Sequence, residues 1–332
     1  MNQRELQYFA TQEIKFIRVL GRGAFGVVYH VHSDHYGSEF ALKKIPENAF
    51  NTMELECLIE IDTPRKTHLY QYFRFENSIY LLMEFCPYDL SKIIKTKNTL
   101  PSDVFMNYVR DVVLAVKACH DQNIAHSDIK PSNFLIDQYG RVKISDFGLS
   151  SIYKGDPISF AFSGTKLYMA PEIFNKSAYN PIIADMWALG VTIFYMVTKD
   201  YPFKSDNEEL LTYIIHRGKY KDDMIKDDLL KAVIARCLTV DVKQRASCDE
   251  LLEMPYFHQD FFMQQLRPSN SRISLKSMAH DPIFKPKIPE VRSIVSMQST
   301  FYRNNSSSRL RLTIPESKSQ AQPFIPTNVI EE

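Results

Sequence analysis

Gly21-Arg22-Gly23-Ala24-Phe25-Gly26-Val27-Val28 is the stretch on which the reading of the fold turns. Glycines let a backbone come close to a phosphate and aim N–H groups at it, so Gly-x-Gly-x-x-Gly spacing suggests a phosphate site. The spacing alone also occurs in ordinary turns, so the residues after the last glycine decide the architecture. A dinucleotide-binding unit would run from the glycines into a helix. Here Val27-Val28-Tyr29-His30-Val31-His32 is a β-branched and aromatic run that extends as a strand. Phe16-Ile17-Arg18-Val19-Leu20 precedes the glycines as another strand, so the pattern predicts a hairpin lid.

Working outward, Glu39-Phe40-Ala41-Leu42-Lys43, residues 69–75 and residues 78–83 are further strand candidates, the last two joined by a tight turn at Asn77-Ser78. One short helical pattern interrupts them, with Met53, Cys57, Leu58 and Ile61 on a shared face. After Pro87 the period changes. Val104, Phe105, Tyr108, Val109, Val112, Val116 and Cys119 recur every three or four residues behind an N-cap at Ser102-Asp103, which predicts a long amphipathic helix. Short strands are expected around residues 128–146, and helical patterns resume from Ala184 to Glu253. The fold class expected is therefore α+β in two lobes: an extension over 1–12, a small β-rich lobe over 13–85 and a larger helical lobe over 86–266. Over 267–332 Ser, Pro, Asn and Gln dominate with a basic excess, which predicts a disordered tail. There are no internal repeats.

Bulk composition excludes several classes. The 332 residues are 45% hydrophobic and 24% charged, enough to bury a sizeable core. A net charge of +1 gives no reason to expect nucleic acid or an anionic membrane as partner. Cys57, Cys86, Cys119, Cys237 and Cys248 are scattered and odd in number, which argues against a disulfide framework or a zinc site. They fit a reducing compartment, cytoplasmic and/or nuclear. Residues 1–6 have no apolar core, so no signal peptide is expected. The apolar run Ala188 to Val197 is about half of the ~20 residues a membrane span needs, and reads as a buried core helix.

Three more runs carry chemistry. In Ala41-Leu42-Lys43 a strand lysine can reach phosphate oxygens, while Lys44 reads as a solvated surface lysine. In His126-Ser127-Asp128-Ile129-Lys130-Pro131-Ser132-Asn133, Asp128 can accept a hydroxyl proton, Lys130 can neutralise a transferred phosphoryl group, and Asn133 can hold a metal from the same loop. In Asp146-Phe147-Gly148, after the strand 142–145, a carboxylate at a strand end suits a metal bridging phosphates. Alone, Lys43 also reads as a solvated surface lysine, and each of the other two runs as a polar loop.

Together, in this order and spacing, they resemble the eukaryotic serine/threonine protein kinase family over residues 14–260. Gly164-Thr165-x-x-Tyr168-Met169-Ala170-Pro171-Glu172, then Asp185-x-Trp187-x-x-Gly190 and Arg245, extend the match. The resemblance implies transfer of the ATP γ-phosphate to Ser/Thr of protein substrates, with Mg²⁺. It implies a lid of Leu20, Gly21, Arg22, Gly23, Ala24, Phe25 and Gly26 over ATP. Val28, Ala41 and Leu135 would sandwich adenine beside a gatekeeper, Met83. Backbone groups of Glu84 and Cys86 would bond adenine, and Asp89 the ribose. Lys43 would pair with a helix carboxylate, assigned to Glu54 with Glu56 as the rival. Asp128 would be the base, Lys130 the phosphoryl partner hydrogen-bonded near Thr165, and Asn133 and Asp146 the metal ligands. Leu58, His126 and Phe147 would stack as a buried column. Glu172 and Arg245 would form a structural ion pair, and Asp185 is likewise structural.

The chain departs from the family where Ser127 and Ser151 replace basic residues that clamp an activation-segment phosphate. Activity independent of one clamped phosphoresidue is expected, with Ser159, Ser163 and Thr165 as the candidate modification sites. The short stretch from Lys43 to Glu54 predicts a stubby helix. The His-Ser-Asp loop is similar to the monopolar-spindle dual-specificity kinases, and residues 84–90 to a cyclin-dependent-kinase hinge, which suggests a cell-cycle role. Among Phe162, Lys166 and Met169, Lys166 suggests tolerance of an acidic neighbour at the phosphoacceptor. A regulatory protein binding the β-rich lobe or the tail is a further expectation. The rival from another class is a catalytically silent scaffold, against which Lys43, Asp128, Asn133 and Asp146 are all present.

Overall fold

The computed structural model describes residues 1–23, 26–96 and 100–258. The lid residues Ala24 and Phe25 and the tail expected over 267–332 lie outside them.

The chain starts with a helix, α1 (Gln3–Thr11). Its first turn is closed reciprocally: Asn2 Oδ1 accepts from the Glu5 N–H, and Glu5 Oε2 accepts from the Asn2 N–H, both at 2.8 Å. Then come β1 (Ile14–Gly23), β2 (Gly26–Ser33), β3 (Ser38–Pro46), α2 (Thr52–Glu60), β4 (Leu69–Phe75) and β5 (Ser78–Glu84). These strands form one antiparallel sheet in the order β1-β2-β3-β5-β4. The turn between β4 and β5 falls at Glu76-Asn77, one residue earlier than the sequence suggested. Glu76 takes the left-handed backbone there, and Ser78 already belongs to the strand.

Side chains alternate across a strand, so the two faces of β3 serve different ends. Phe40 and Leu42 join Tyr29, Val31, Tyr80 and Leu82 in a buried cluster with Phe9 of α1. Phe9 meets Tyr80 edge-on at 4.8 Å, and Tyr8 stacks on Phe75 at 4.2 Å. Ala41 and Lys43 alternate onto the opposite face. The N-terminal extension is therefore a helix packed on the sheet. Lys44 is not a solvated lysine as expected: its ammonium pairs with the buried Glu5 carboxylate, which also accepts 2.8 Å from the Tyr80 hydroxyl.

Beyond β5 lie β6 (Tyr88–Asp89), α3 (Leu90–Thr96), α4 (Ser102–His120), β7 (Ile124–Ala125), β8 (Phe134–Ile136), β9 (Val142–Ile144), β10 (Ser151–Ile152), α5 (Pro171–Phe174), α6 (Pro181–Thr198), α7 (Glu208–Arg217), α8 (Asp228–Cys237) and α9 (Cys248–Leu252). The result is a β-sheet lobe and a helical lobe, as expected. The N-cap of α4 is Pro101 rather than Ser102, and its side chain makes no capping bond.

The sequence of α6 explains its place at the centre of the helical lobe. Asn180 caps it by accepting from the N–H groups of Ile182 and Ile183, Pro181 opens it, and nearly every side chain from Ala184 to Met196 is buried. It is the one helix among the described residues long and apolar enough to cross a membrane, and 83% of that span is buried inside the protein, so it is a core helix. Gly190 allows the close approach of α8, since a Cβ there would lie 2.5 Å from the Cys237 Cβ.

Candidate active site

Lys43 leaves β3 into the space between the sheet and the helical lobe. Its ammonium lies 2.6 Å from Glu54 Oε1 and 2.8 Å from Asp146 Oδ1. The helix partner is thus Glu54, not Glu56. Asn51 caps α2 by accepting from the Met53 N–H, and the helix spans only nine residues, with Glu54, Cys57 and Leu58 buried. Burial alone would pull Lys43 down, but the Glu54 and Asp146 carboxylates outweigh it and hold the ammonium above its ordinary value. Burial would raise Asp146, and the Lys43 charge instead holds it below the usual carboxylate range. Burial lifts the Glu54 carboxyl, with Lys43 opposing.

The second cluster sits on the loop between β7 and β8. Lys130 Nζ is 2.7 Å from Asp128 Oδ2 and donates to Thr165 Oγ1 at 2.9 Å, while the Thr165 hydroxyl donates to Asp128 Oδ1 at 2.9 Å. Asn133 turns its amide nitrogen to Asp128, donating to the backbone carbonyl at 2.8 Å and to Oδ2 at 3.0 Å. That orientation frees the Asn133 amide oxygen. Asp185 of α6 supports the loop from below, accepting from the N–H groups of His126 at 2.7 Å and Ser127 at 2.9 Å. Both Ser127 (φ 63°) and Asp146 (φ 66°) occupy the left-handed region, which costs a non-glycine residue free energy and needs such external support.

The remaining expected residues fall around these clusters. Val28, Ala41 and Leu135 are half-buried, and Met83 is buried opposite Ala41 in the sheet register. Leu20, Gly21, Arg22 and Gly23 lie on β1, with Gly23 opposite Gly26 across the lid hairpin. Gly26 has φ +136°, and a Cβ there would collide with the Lys44 carbonyl at 1.9 Å, so glycine is required. The Glu84 N–H is already given to the His68 carbonyl, and its carboxylate binds Lys143 at 2.8 Å. Half-buried Cys86 has its thiol pushed up to about 12, first by burial and then by Glu84. Asp89 caps α3, accepting from the Lys92 N–H at 2.8 Å, so its carboxylate is partly committed.

His126 and Phe147 are buried ring to ring at 5.1 Å, and Leu58 is buried as well. Arg245 and Glu172 form a bidentate pair at 2.6 and 2.9 Å. Thr165 is engaged by Asp128 and Lys130, and the Ser159 backbone bridges to Tyr179. Lys166 already meets Glu208 at 2.9 Å, which works against reserving its charge for an acidic substrate residue. Met169 is buried, and Phe162 packs edge-on against Phe174. Sequence reasoning missed Asn123, whose side-chain amide binds two carbonyls, and Tyr179, whose hydroxyl binds a third; neither contact leaves a local sequence signal.

No group of three or more His, Cys, Asp or Glu side chains suited to a metal ion occurs among the described residues. A site completed by phosphate oxygens needs fewer protein ligands, however. The amide oxygen of Asn133 and the carboxylate of Asp146 are hard oxygen donors of the kind Mg²⁺ takes.

A five-stranded lobe with a buried lysine–carboxylate pair faces a helical lobe with an Asp-Lys-Thr cluster. The protein kinase domain family matches residues 14–257, and the chain belongs to that family. Among curated proteins it is 29% identical over 266 residues to putative CBL-interacting protein kinase 13 of Oryza sativa subsp. japonica, covering 77% of this chain and 52% of that protein. It is 27% identical over 255 residues to CBL-interacting serine/threonine-protein kinase 18 of Arabidopsis thaliana (74% and 49%) and 30% identical over 258 residues to CBL-interacting protein kinase 30 of Oryza sativa subsp. japonica (74% and 54%). The chain spans about half the length of these relatives. They give no support to the cell-cycle role suggested by the loop and hinge sequences.

Proposed function

We propose that the protein transfers the γ-phosphate of ATP to serine and threonine hydroxyls of protein substrates. The observation that carries this is the Asp128–Lys130–Thr165 cluster. It ties a carboxylate and a cation of the catalytic loop to the end of the activation segment, where a peptide would lie.

Catalysis of this transfer rests on positioning and on placing charge where charge develops. Asp128 orients the substrate hydroxyl and takes its proton. Lys130, beside it, offsets the charge of the moving phosphoryl group. Asn133 holds Asp128 through one bond donated to its carboxylate and one to its backbone carbonyl. Asn133 and Asp146 would hold Mg²⁺, which neutralises phosphate charge when bound. Lys43, kept charged and fixed by Glu54, reaches the α- and β-phosphates. Val28, Ala41 and Leu135 enclose adenine beside Met83, with backbone groups of Glu84 and Cys86 for its edge, Asp89 for the ribose and the residues 20–26 hairpin as the lid.

The CBL-interacting relatives support a signalling setting and a regulatory protein partner, which would dock on the β-rich lobe or on the tail over 267–332. The five unpaired cysteines support a reducing compartment, cytoplasmic and/or nuclear.

The test is phosphate transfer from ATP·Mg²⁺ to a degenerate peptide array, with wild type beside Asp128→Asn. Wild type should phosphorylate Ser/Thr peptides, and the variant should be slower by about a hundred- to ten-thousand-fold. Tyrosine positions on the same array report dual specificity. Equal transfer by both proteins would refute Asp128 as the base. ATP binding without any transfer by wild type would refute the kinase reading.

A further inference from the structure

An activation segment lacking its cationic clamp must be held by something else. Ser127 carries no charge, and its N–H is bound to Asp185. Ser151 lies in β10, paired with Ala125 of β7. Neither brings a cation to the segment.

From β10 onward the segment is instead tied down by two polar side chains. The Asn123 amide nitrogen donates to the carbonyls of Tyr153 at 2.7 Å and Gly155 at 3.0 Å, while the Asn123 carbonyl accepts from the Tyr153 N–H at 3.0 Å. Further on, Ser159 and Tyr179 exchange both backbone bonds, at 2.9 and 3.0 Å, and the Tyr179 hydroxyl donates to the Ala161 carbonyl at 2.7 Å. Tyr179 directly precedes Asn180, the N-cap of α6. Six residues beyond Tyr179, Asp185 holds the two N–H groups that support the catalytic loop. The first turns of α6 and the residue before its cap therefore hold both the loop that carries Asp128 and the segment that leads to Thr165. The junction is tight: Gly164 has φ +108°, and a Cβ there would lie 2.8 Å from the Ser127 carbonyl.

We propose that Tyr179 and Asn123 are positioning residues for the peptide substrate, holding residues 153–161 against α6 and the catalytic loop in place of a phosphate clamp. This rests on the kinase reading of the Asp128 cluster. Loss of the Tyr179 hydroxyl leaves the ring and the α6 cap in place but frees the Ala161 carbonyl, so the path into Thr165 loosens. Asn123 has φ 55°, where glycine is tolerated. Asn123→Gly therefore removes the side-chain donors without adding backbone strain.

The experiment compares the full chain with Tyr179→Phe and Asn123→Gly, measuring hydrogen exchange peptide by peptide and the kinetics of Ser/Thr peptide phosphorylation. Phosphatase-treated wild type should keep its activity. In both variants residues 153–161 should exchange faster while α6 and the β-sheet lobe exchange as in wild type. Peptide kcat/KM should fall about tenfold, mainly through the peptide KM, with the KM for ATP within about twofold, as expected for a lost hydrogen bond that acts on one substrate only. Wild-type exchange and peptide KM in both variants would overturn the proposal. So would loss of activity on phosphatase treatment, or faster exchange throughout the chain. If wild type transfers no phosphate, the kinase reading fails, and the exchange data still decide whether these two side chains hold the segment.

Discussion

Lys43 faces two carboxylates, and its pairing with Asp146 should be readable in the response to acid. Burial would raise the Asp146 carboxyl, yet the ammonium 2.8 Å away holds it below its ordinary value. A carboxyl depressed in the native state stabilises the fold at pH above its unfolded value, about 3.9, and that contribution is lost as pH falls through the lower native value. Wild type should therefore lose stability more steeply than Asp146→Asn between about pH 5 and pH 3. Urea unfolding at a series of pH values checks this, and parallel curves would mean that Lys43 is committed to Glu54 alone. Residue by residue, most of this site was legible in the sequence. Lys43, Asp128, Lys130, Asn133 and Asp146 occur in short runs whose chemistry is local. Asn123 and Tyr179 were not legible, because a side chain that bonds to backbone carbonyls places no demand on the identity of its partner.

At the scale of elements, α1 is the part that sequence reasoning passed over. Its apolar residues are too few for a helical period to stand out; the signal available was the capping pattern Asn2-x-x-Glu5. The strands and α4 were legible because β-branched runs and three-to-four spacing act within a short window. The bond from Glu5 to Lys44 spans 39 residues and is set by docking alone. Glu5→Gln should show what that docking is worth. Removing one partner of a fully buried pair costs about 3–5 kcal/mol. Lys44 is about a quarter exposed at its side chain and can turn to water, so a smaller loss, about 1–3 kcal/mol, is expected. The fall in the urea midpoint measures it. No change would show that α1 is held by Phe9 and Tyr8 without help from the charge pair.

Across the whole molecule, Arg245 draws distant parts of the chain to one point. Its guanidinium binds Glu172 of α5 through both terminal nitrogens, donates to the carbonyls of Ile183 and Thr239, and lies 5.3 Å from the Trp187 ring. The Arg245 side chain has no exposed surface, and Glu172 is only 13% exposed, so neither charge can escape to water. Arg245→Met leaves Glu172 without its cation and should destabilise the fold by about 3–5 kcal/mol. Glu172→Gln leaves Arg245 with its two carbonyl partners and should cost less. In the double variant no charge is stranded, so its loss should fall short of the sum of the two single losses. Because the pair touches neither Lys43 nor the Asp128 cluster, the folded fraction of each variant should keep wild-type kcat at temperatures where it remains native. A folded Arg245→Met protein that has lost phosphate transfer would place this ion pair within the positioning of the peptide site.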